Sequence, residues 1–338
     1  MASSFATMTR RTLLRLSPAL HIARVTWAFS AVANAWLVVL WTRAVPQEPA
    51  STALGEQHLS VLLLASAGLS LGLFCFGTAI NDIVDARRDR FLHPQRPIAS
   101  GSATSNLGLA ILTLSLLVAI LSSLVFGPAS VVLTALIAAG ILLFNLTLRF
   151  IPALGLLTLA LIHAVHMLVP NMKLVFVWPL LLVFTHVTAV AWIQHLVANK
   201  LPSISKRAMA FTVLGWTIVG IGIVGLFTYR AEELANDTFF LPAWVNPLAI
   251  VFPMLLAAAF PIFVIRKIKQ HGYTKRAAEK IGRYGSIWMS LYGCACLLGQ
   301  GAYKPALILG SLTLAGLMGM TVLRELYGFL EQPVGFRR

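Results

Sequence analysis

The chain has 338 residues, of which 58% are hydrophobic and 11% charged, and its mean hydropathy is +0.84. This composition excludes a soluble globular domain and indicates an integral membrane protein. A net charge of +15 would suggest a nucleic-acid partner in a soluble protein. Basic residues collect in the cytoplasmic loops of membrane proteins, however, so the sequence predicts membrane lipid and no nucleic acid as partners.

Ten apolar segments predict the helices of a single transmembrane domain over residues 1–338. A helix needs about 20 residues to cross the hydrocarbon core of a bilayer. The segments that approach this length are 24–43, 59–81, 105–126, 129–148, 153–170, 174–196, 209–229, 244–265, 284–300 and 305–323. The last two are short and closely spaced, so the predicted fold is an all-α transmembrane helical bundle of nine to ten spans.

The distribution of basic residues predicts the orientation of the bundle. With a cytoplasmic N-terminus, four of the 26 Lys and Arg residues fall outside and the remaining 22 inside. The positive-inside rule then puts the N-terminal segment 1–20, a basic loop at 266–283 and the tail 324–338 in the cytoplasm. The acidic 230–242 loop lies on the other side. This is the pattern of a multi-pass protein, and we assign it to a bacterial inner (cytoplasmic) membrane.

A cluster of polar residues follows the second predicted span. Asn81, Asp82, Asp85 and Asp89 lie at helical spacing and therefore share one helix face. Three carboxylates held together at a membrane surface are costly unless a cation neutralises them, and hard oxygen ligands suit Mg²⁺. We predict a metal–diphosphate site in which the three aspartates are the metal ligands and catalytic residues, supported by Asn81. The arginines available for the remaining phosphate charge are Arg88, Arg96 and Arg149.

Two stretches carry a family resemblance. The motif Asn81-Asp82-x-x-Asp85-x-x-x-Asp89, followed by Arg96-Pro97-Ile98-Ala99-Ser100-Gly101, resembles the first aspartate-rich signature of the UbiA superfamily of intramembrane prenyltransferases. The segment 144–149, which contains Asn145 and Arg149, resembles the aromatic-Asn-x-x-x-Lys element of that family. The resemblance implies Mg²⁺-dependent transfer of a prenyl group from a polyprenyl diphosphate donor to a small lipophilic acceptor, aromatic or hydroxyl.

The second aspartate-rich motif of that family has no counterpart here. Its expected place, residues 192–200, contains no acidic residue. His195 and Asn199 are spaced i, i+4, so they share the helix face where the missing aspartates would lie. Two interpretations stay open. Lys200, with Lys206 and Arg207, replaces a second Mg²⁺ by contacting the diphosphate directly, or the second half-site has decayed.

Polar residues inside predicted spans give further substrate-binding candidates. His163 and His166 share one face of the fifth span, and Asn145 ends the fourth. Ionisable residues inside a membrane favour a functional role, but a hydrogen-bonded packing role is an equal alternative for the two histidines.

Two other functions remain open from the sequence. A UbiA-like protein with one surviving half-site could bind or export an isoprenoid without catalysis. The superfamily also includes phosphoribosyl-type transferases that act on polyprenyl phosphate, and His93-Pro94 before Arg96-Pro97 resembles them.

Overall fold

The computed structural model describes residues 28–235 and 241–331, which form helices and loops without a β-strand. The helices in this part of the chain are α1 (Phe29–Ala44), α2 (Ser51–Glu56), α3 (Leu59–Val84), α4 (Ala86–Leu92), α5 (Pro97–Ser100), α6 (Ser105–Ser123), α7 (Pro128–Leu146), α8 (Pro152–His166), α9 (Trp178–Val197), α10 (Lys206–Ala235), α11 (Leu248–His271), α12 (Lys275–Gly299) and α13 (Tyr303–Glu331). The all-α prediction is confirmed.

Each of the ten predicted spans corresponds to a helix of 15 or more residues in the described chain. By length and hydropathy, six of these helices can cross a membrane, namely α3, α6, α7, α9, α10 and α11, and α8 is apolar but shorter. The structure therefore supports a multi-pass membrane protein. The count of nine to ten spans stays a prediction.

Some predicted segments lie outside the described residues. These are the N-terminal segment 1–20, Asp237 in the predicted outer loop, and the end of the 324–338 tail, whose beginning continues α13 as far as Glu331.

The boundary between the fifth and sixth predicted spans differs from the structure. Residues 167–177 form a loop instead of helix ends, although Met167, Val169 and Phe176 in it are fully or nearly fully buried. A buried side chain contacts this loop: Glu48 accepts hydrogen bonds from the Val175 backbone N–H and from the Trp41 indole. The first of these bonds gives one loop N–H a partner without a helix.

The basic 266–283 segment is also not the loop that its charge suggested. It forms the end of α11 and the start of α12, and only 272–274 are non-helical, with Gly272 at φ +68°. Lys and Arg are good helix formers, so basic charge indicates the side of the membrane without indicating a loop.

Six helices form a closed ring at the centre of the bundle. In the order α1, α3, α7, α8, α9 and α12, each packs against the next, and α12 returns to α1. The other long helices pack outside this ring. One of them, α6, lies close to α3 because Gly72 has no side chain: a Cβ there would lie 2.6 Å from the Ser115 carbonyl oxygen. The ring encloses the space in which a substrate could bind.

Candidate functional site

The acidic cluster lies where α3 gives way to α4. The chain turns at Asp85 but keeps helical bonding, since the Asp85 N–H donates to the Asn81 carbonyl at 3.0 Å and the Asp89 N–H donates to the Asp85 carbonyl at 2.8 Å. The predicted helical spacing therefore survives the break. Asp82 and Asp89 are 2% and 3% exposed, so their carboxylates need counter-charges from the protein or a ligand.

Arg96 supplies one counter-charge to all three carboxylates. Its Nη1 lies 2.5 Å from Asp89 Oδ2, 3.7 Å from Asp82 Oδ1 and 3.9 Å from Asp85 Oδ2. The position follows from local sequence, because Pro97 begins the short helix α5 directly after Arg96, and Gly101 ends it at φ +80°. This turn returns the chain toward α4.

Arg149 supplies the other counter-charge from the turn that follows α7, the neighbour of α3 in the ring. Its Nη2 lies 2.5 Å from Asp85 Oδ1, its Nη1 lies 2.9 Å from Asp85 Oδ2, and Nη1 also donates to Asn81 Oδ1. Arg149 is in a 3₁₀ turn between α7 and α8. A Cβ at Gly155 would lie 3.0 Å from the Arg149 Cα, so this glycine allows the turn to pack against the first turn of α8.

The cluster has the ligand chemistry of a Mg²⁺ site. The point where the three carboxylates converge, however, is taken by Arg96 in this structure. Three carboxylates and an amide oxygen are the hard ligands that Mg²⁺ prefers. Among the described residues, no group of three His, Cys, Asp or Glu side chains is arranged to hold a metal ion. Instead the Arg96 Nη1 lies within 4 Å of an oxygen from each aspartate. The residue types fit the ion, and the metal site stays a prediction.

A first cavity of about 310 Å³ extends from this cluster into the ring. Asn81 lines its mouth, apolar side chains such as Ile137 and Ile141 line its wall, and Ser70 and His166 lie at its far end. Along α3 the distance from Asn81 to Ser70 is about 16 Å at 1.5 Å per residue. Two predicted substrate-binding residues, Asn145 and His163, also line this cavity.

The far end of the first cavity is fixed by a chain of hydrogen bonds. The Ser70 hydroxyl donates to the Ser66 carbonyl at 2.7 Å, so its oxygen accepts from His166 Nε2, which lies 3.0 Å away. His166 therefore carries its proton on Nε2 and has a structural partner. Asn145 likewise donates to the Ile141 carbonyl at 2.9 Å.

A second cavity of about 480 Å³ lies beside the first, between α8, α9 and α12. The two cavities share Phe74, Thr78, Leu159 and His163. The helix interface depends on glycine: a Cβ at Gly282 would lie 2.0 Å from the amide nitrogen of Gln194, which lines this cavity.

Sequence reasoning missed His186 and Gln194, both of which line the second cavity. Their spacing of eight residues, with Val190 midway, places all three on one face of α9 and was the available signal. His186 Nε2 lies 2.9 Å from the Gly285 carbonyl and Nδ1 lies 3.0 Å from the Tyr292 hydroxyl. A carbonyl only accepts, so Nε2 carries the proton and Nδ1 accepts from Tyr292.

Four predicted site residues lie outside the cluster and line neither cavity. Arg88 is exposed, and His195 donates from Nε2 to the Pro202 carbonyl at 2.8 Å. Asn199 ends the α9 turn at φ +48°, the left-handed conformation that Asn tolerates. Lys200 is exposed to solvent, yet neighbouring protein desolvates its ammonium enough to lower its pKa. The structure therefore does not bring these four residues to the aspartates.

Comparisons with known proteins agree at the level of the fold. No family model and no curated protein matches the sequence. A solved structure of digeranylgeranylglyceryl phosphate synthase is similar at a TM-score of 0.53 and 18% identity, covering 86% of this chain and 99% of its own. The apo structure of a UbiA homologue from Aeropyrum pernix K1 is similar at a TM-score of 0.53 and 18% identity. The match covers 78% of this chain and 96% of the homologue. The chain therefore has the fold of the UbiA homologues, as the motif around Asp82 and Asp85 predicted.

Proposed function

We propose that the chain is a UbiA-superfamily prenyltransferase that moves a prenyl group from a polyprenyl diphosphate to a small lipophilic acceptor. One observation carries the proposal: Asn81 both binds Arg149 in the acidic cluster and lines the mouth of the first cavity. A charged site thus opens into an apolar one, which is the arrangement that a diphosphate head with a hydrocarbon tail requires.

The charge of the cluster supports a metal requirement. Three carboxylates and two guanidinium groups leave one negative charge, which repels an anionic diphosphate. A divalent cation held by Asp82, Asp85 and Asp89 would reverse that sign and stabilise the departing diphosphate. Arg96 and Arg149, which both lie within 4 Å of Asp85, would then be available to bind phosphate oxygens.

The first cavity supports the acceptance of a prenyl chain. Its apolar wall, with Ile137, Ile141 and Phe144, would bury the chain and keep water from the allylic carbon as the diphosphate leaves. One of the similar structures is by name a synthase of a digeranylgeranyl lipid.

We also propose that the chain is a single domain of nine to ten spans in a bacterial cytoplasmic membrane.

Binding of geranyl diphosphate to the purified full chain in nanodiscs tests the proposal. We expect saturable binding that requires Mg²⁺, is lost in EDTA, and weakens at least tenfold in Asp85→Asn. Glu279→Gln, which alters an exposed carboxylate on α12, is the matched control and binds normally. Equal binding by Asp85→Asn would overturn the proposal.

Release of inorganic diphosphate separates the enzyme from the two alternatives. A transferase releases diphosphate from the bound prenyl donor when acceptor is supplied, whereas an isoprenoid-binding or export protein binds the same donor without release. A phosphoribosyl-type transferase would use a polyprenyl phosphate as acceptor and leave geranyl diphosphate intact.

A further inference from the structure

The two cavities meet at His163. Its ring lines both, together with Phe74, Thr78 and Leu159. The first cavity is continuous with the acidic cluster through Asn81, whereas the second reaches toward α9 and α12 without including any cluster residue among its described lining. A ligand in the second cavity would therefore meet a donor in the first only at the place where these four shared side chains lie.

The second cavity selects against charge. Its described lining contains no Asp, Glu, Lys or Arg, and its polar side chains are Ser30, Thr78, His163, His186, Gln194 and Ser286. A carboxylate or phosphate buried there would lack a cationic partner, and an unpaired buried charge costs several kcal/mol. The occupant is therefore an uncharged molecule that can form hydrogen bonds.

His163 is the group that such a molecule would meet. The other histidine of the cavity, His186, already has protein partners at both ring nitrogens. Gln194 uses its amide N–H to bind the Ala278 carbonyl at 3.1 Å. No described residue hydrogen-bonds either nitrogen of His163, which is half-buried in the bundle. A polar ring in that position gains most from a ligand hydroxyl.

We propose that the second cavity binds the acceptor, that the acceptor is an uncharged lipophile bearing a hydroxyl group, and that His163 is the positioning residue that binds this hydroxyl. This inference rests on the proposed function, and it adds the substrate class and the place of the second substrate. The wall shared at Phe74 and Thr78 would hold the hydroxyl beside the donor chain. A lipophilic acid is excluded by the same lining.

A matched pair of probes tests the charge of the ligand. Saturable binding of 4-octylphenol and 4-octylbenzoate to the full chain in nanodiscs is measured without donor. We expect the phenol to bind and the benzoate to bind at least tenfold more weakly, about 1.4 kcal/mol. Benzoate binding as tight as phenol binding would overturn the proposal.

Bulky substitutions test which cavity is used. Ser286→Phe and Ala191→Phe fill the second cavity and should each weaken phenol binding at least tenfold, while geranyl diphosphate binding with Mg²⁺ changes less than twofold. Ile137→Trp in the first cavity should do the reverse. Two variants of the second cavity are measured so that misfolding of one of them does not decide the result. A folded second-cavity variant that loses binding of both ligands, or that keeps binding of both, would contradict separate sites.

Side-chain chemistry at position 163 separates positioning from packing. His163→Leu should weaken phenol binding about tenfold, and His163→Gln, which keeps a hydrogen-bonding group, should restore most of it. Equal loss in both variants would assign His163 a packing role and overturn this part of the proposal. If wild-type protein fails to bind geranyl diphosphate while the phenol results hold, the proposed function fails and the second cavity stands.

Discussion

Arg149 binds Asp85 through two parallel hydrogen bonds, from Nη2 to Oδ1 at 2.5 Å and from Nη1 to Oδ2 at 2.9 Å. The two residues are 64 positions apart in the sequence, and the pair joins α3 to the turn before α8. Both side chains are largely buried, at 14% and 13% exposed. The pair lies beside Asn81 at the mouth of the proposed donor site, and it uses both the charge and the planar shape of the guanidinium.

Replacing Arg149 with Lys should therefore be costly. A lysine keeps the charge but cannot form the two-pronged contact, so we expect geranyl diphosphate binding to weaken roughly tenfold or more. The measurement is the dissociation constant with saturating Mg²⁺. Arg88→Lys is the control, because Arg88 is exposed, and it should bind within twofold of wild type. A larger effect at Arg88 would restore its predicted place in the site.

We predict one metal ion per chain. The acidic cluster at Asp82, Asp85 and Asp89 supplies carboxylate ligands for one ion. No further carboxylate occurs between Asp89 and Glu232 to hold a second. Titration with Mn²⁺ in the presence of a geranyl thiodiphosphate analogue should give a stoichiometry near one, and Asp82→Ala should abolish it. A stoichiometry of two would contradict the prediction. The second ion would then need ligands other than carboxylates from residues 90–231.

Neutralising Lys200 distinguishes the two interpretations of the missing second motif. Direct contact with the diphosphate would make Lys200→Gln bind donor roughly 10- to 100-fold more weakly, since a charge-assisted hydrogen bond contributes about 1.5–3 kcal/mol. Because Lys200 is exposed and lines neither cavity, we expect less than a threefold change. A tenfold loss would show that the 199–207 segment moves onto bound donor.

Cysteine labelling tests the orientation. In a background where Cys75, Cys294 and Cys296 are replaced, Ser102→Cys should react with a membrane-impermeant reagent only from the cytoplasm. Glu56→Cys, beyond the opposite end of α3, should react only from the other side. Both positions are exposed, so access does not limit the reaction. Labelling of both from one side would contradict the arrangement inferred from the basic residues.

Stability should fall with rising pH because of Glu48. Burial raises the pKa of this carboxyl to about 7, above its ordinary value of 4.5, despite hydrogen bonds to Val175 and Trp41. The folded state then holds a proton that the unfolded chain releases, so its stabilisation is complete below pH 4.5 and is lost as pH rises to about 7. The loss is on the order of 3 kcal/mol.

Thermal unfolding between pH 5 and 8 measures this loss. Wild-type protein should unfold at progressively lower temperature across that range, and Glu48→Gln should show a flatter profile. Glu56→Gln, at an exposed carboxylate near the same end of the bundle, should keep the wild-type profile. A pH-dependent profile in Glu48→Gln equal to that of wild type would assign the effect to another group.

Local spacing determined the acidic cluster from the sequence. Asp82, Asp85 and Asp89 share a face because helix periodicity fixes it, and the Pro97 turn brings Arg96 back within a few residues. The positions of the helices followed from apolar segment length, so the fold class also followed from the amino-acid sequence alone. These features depend on residues near one another in the chain.

Contacts between helices decided the rest. Gln194 faces the second cavity and His195 does not, because the rotation of α9 is set by its close approach to Gly282 on α12. Residues 167–177 form a loop in which the Val175 N–H donates to Glu48, more than 100 positions earlier. The spacing in α9 groups His186 with Gln194 on one face without showing what that face packs against, and the Glu48 contact leaves no local pattern in the sequence. The sequence by itself therefore determined the fold class and the charged head of the site, and only the packing of the six-helix ring decided that two cavities meet at His163.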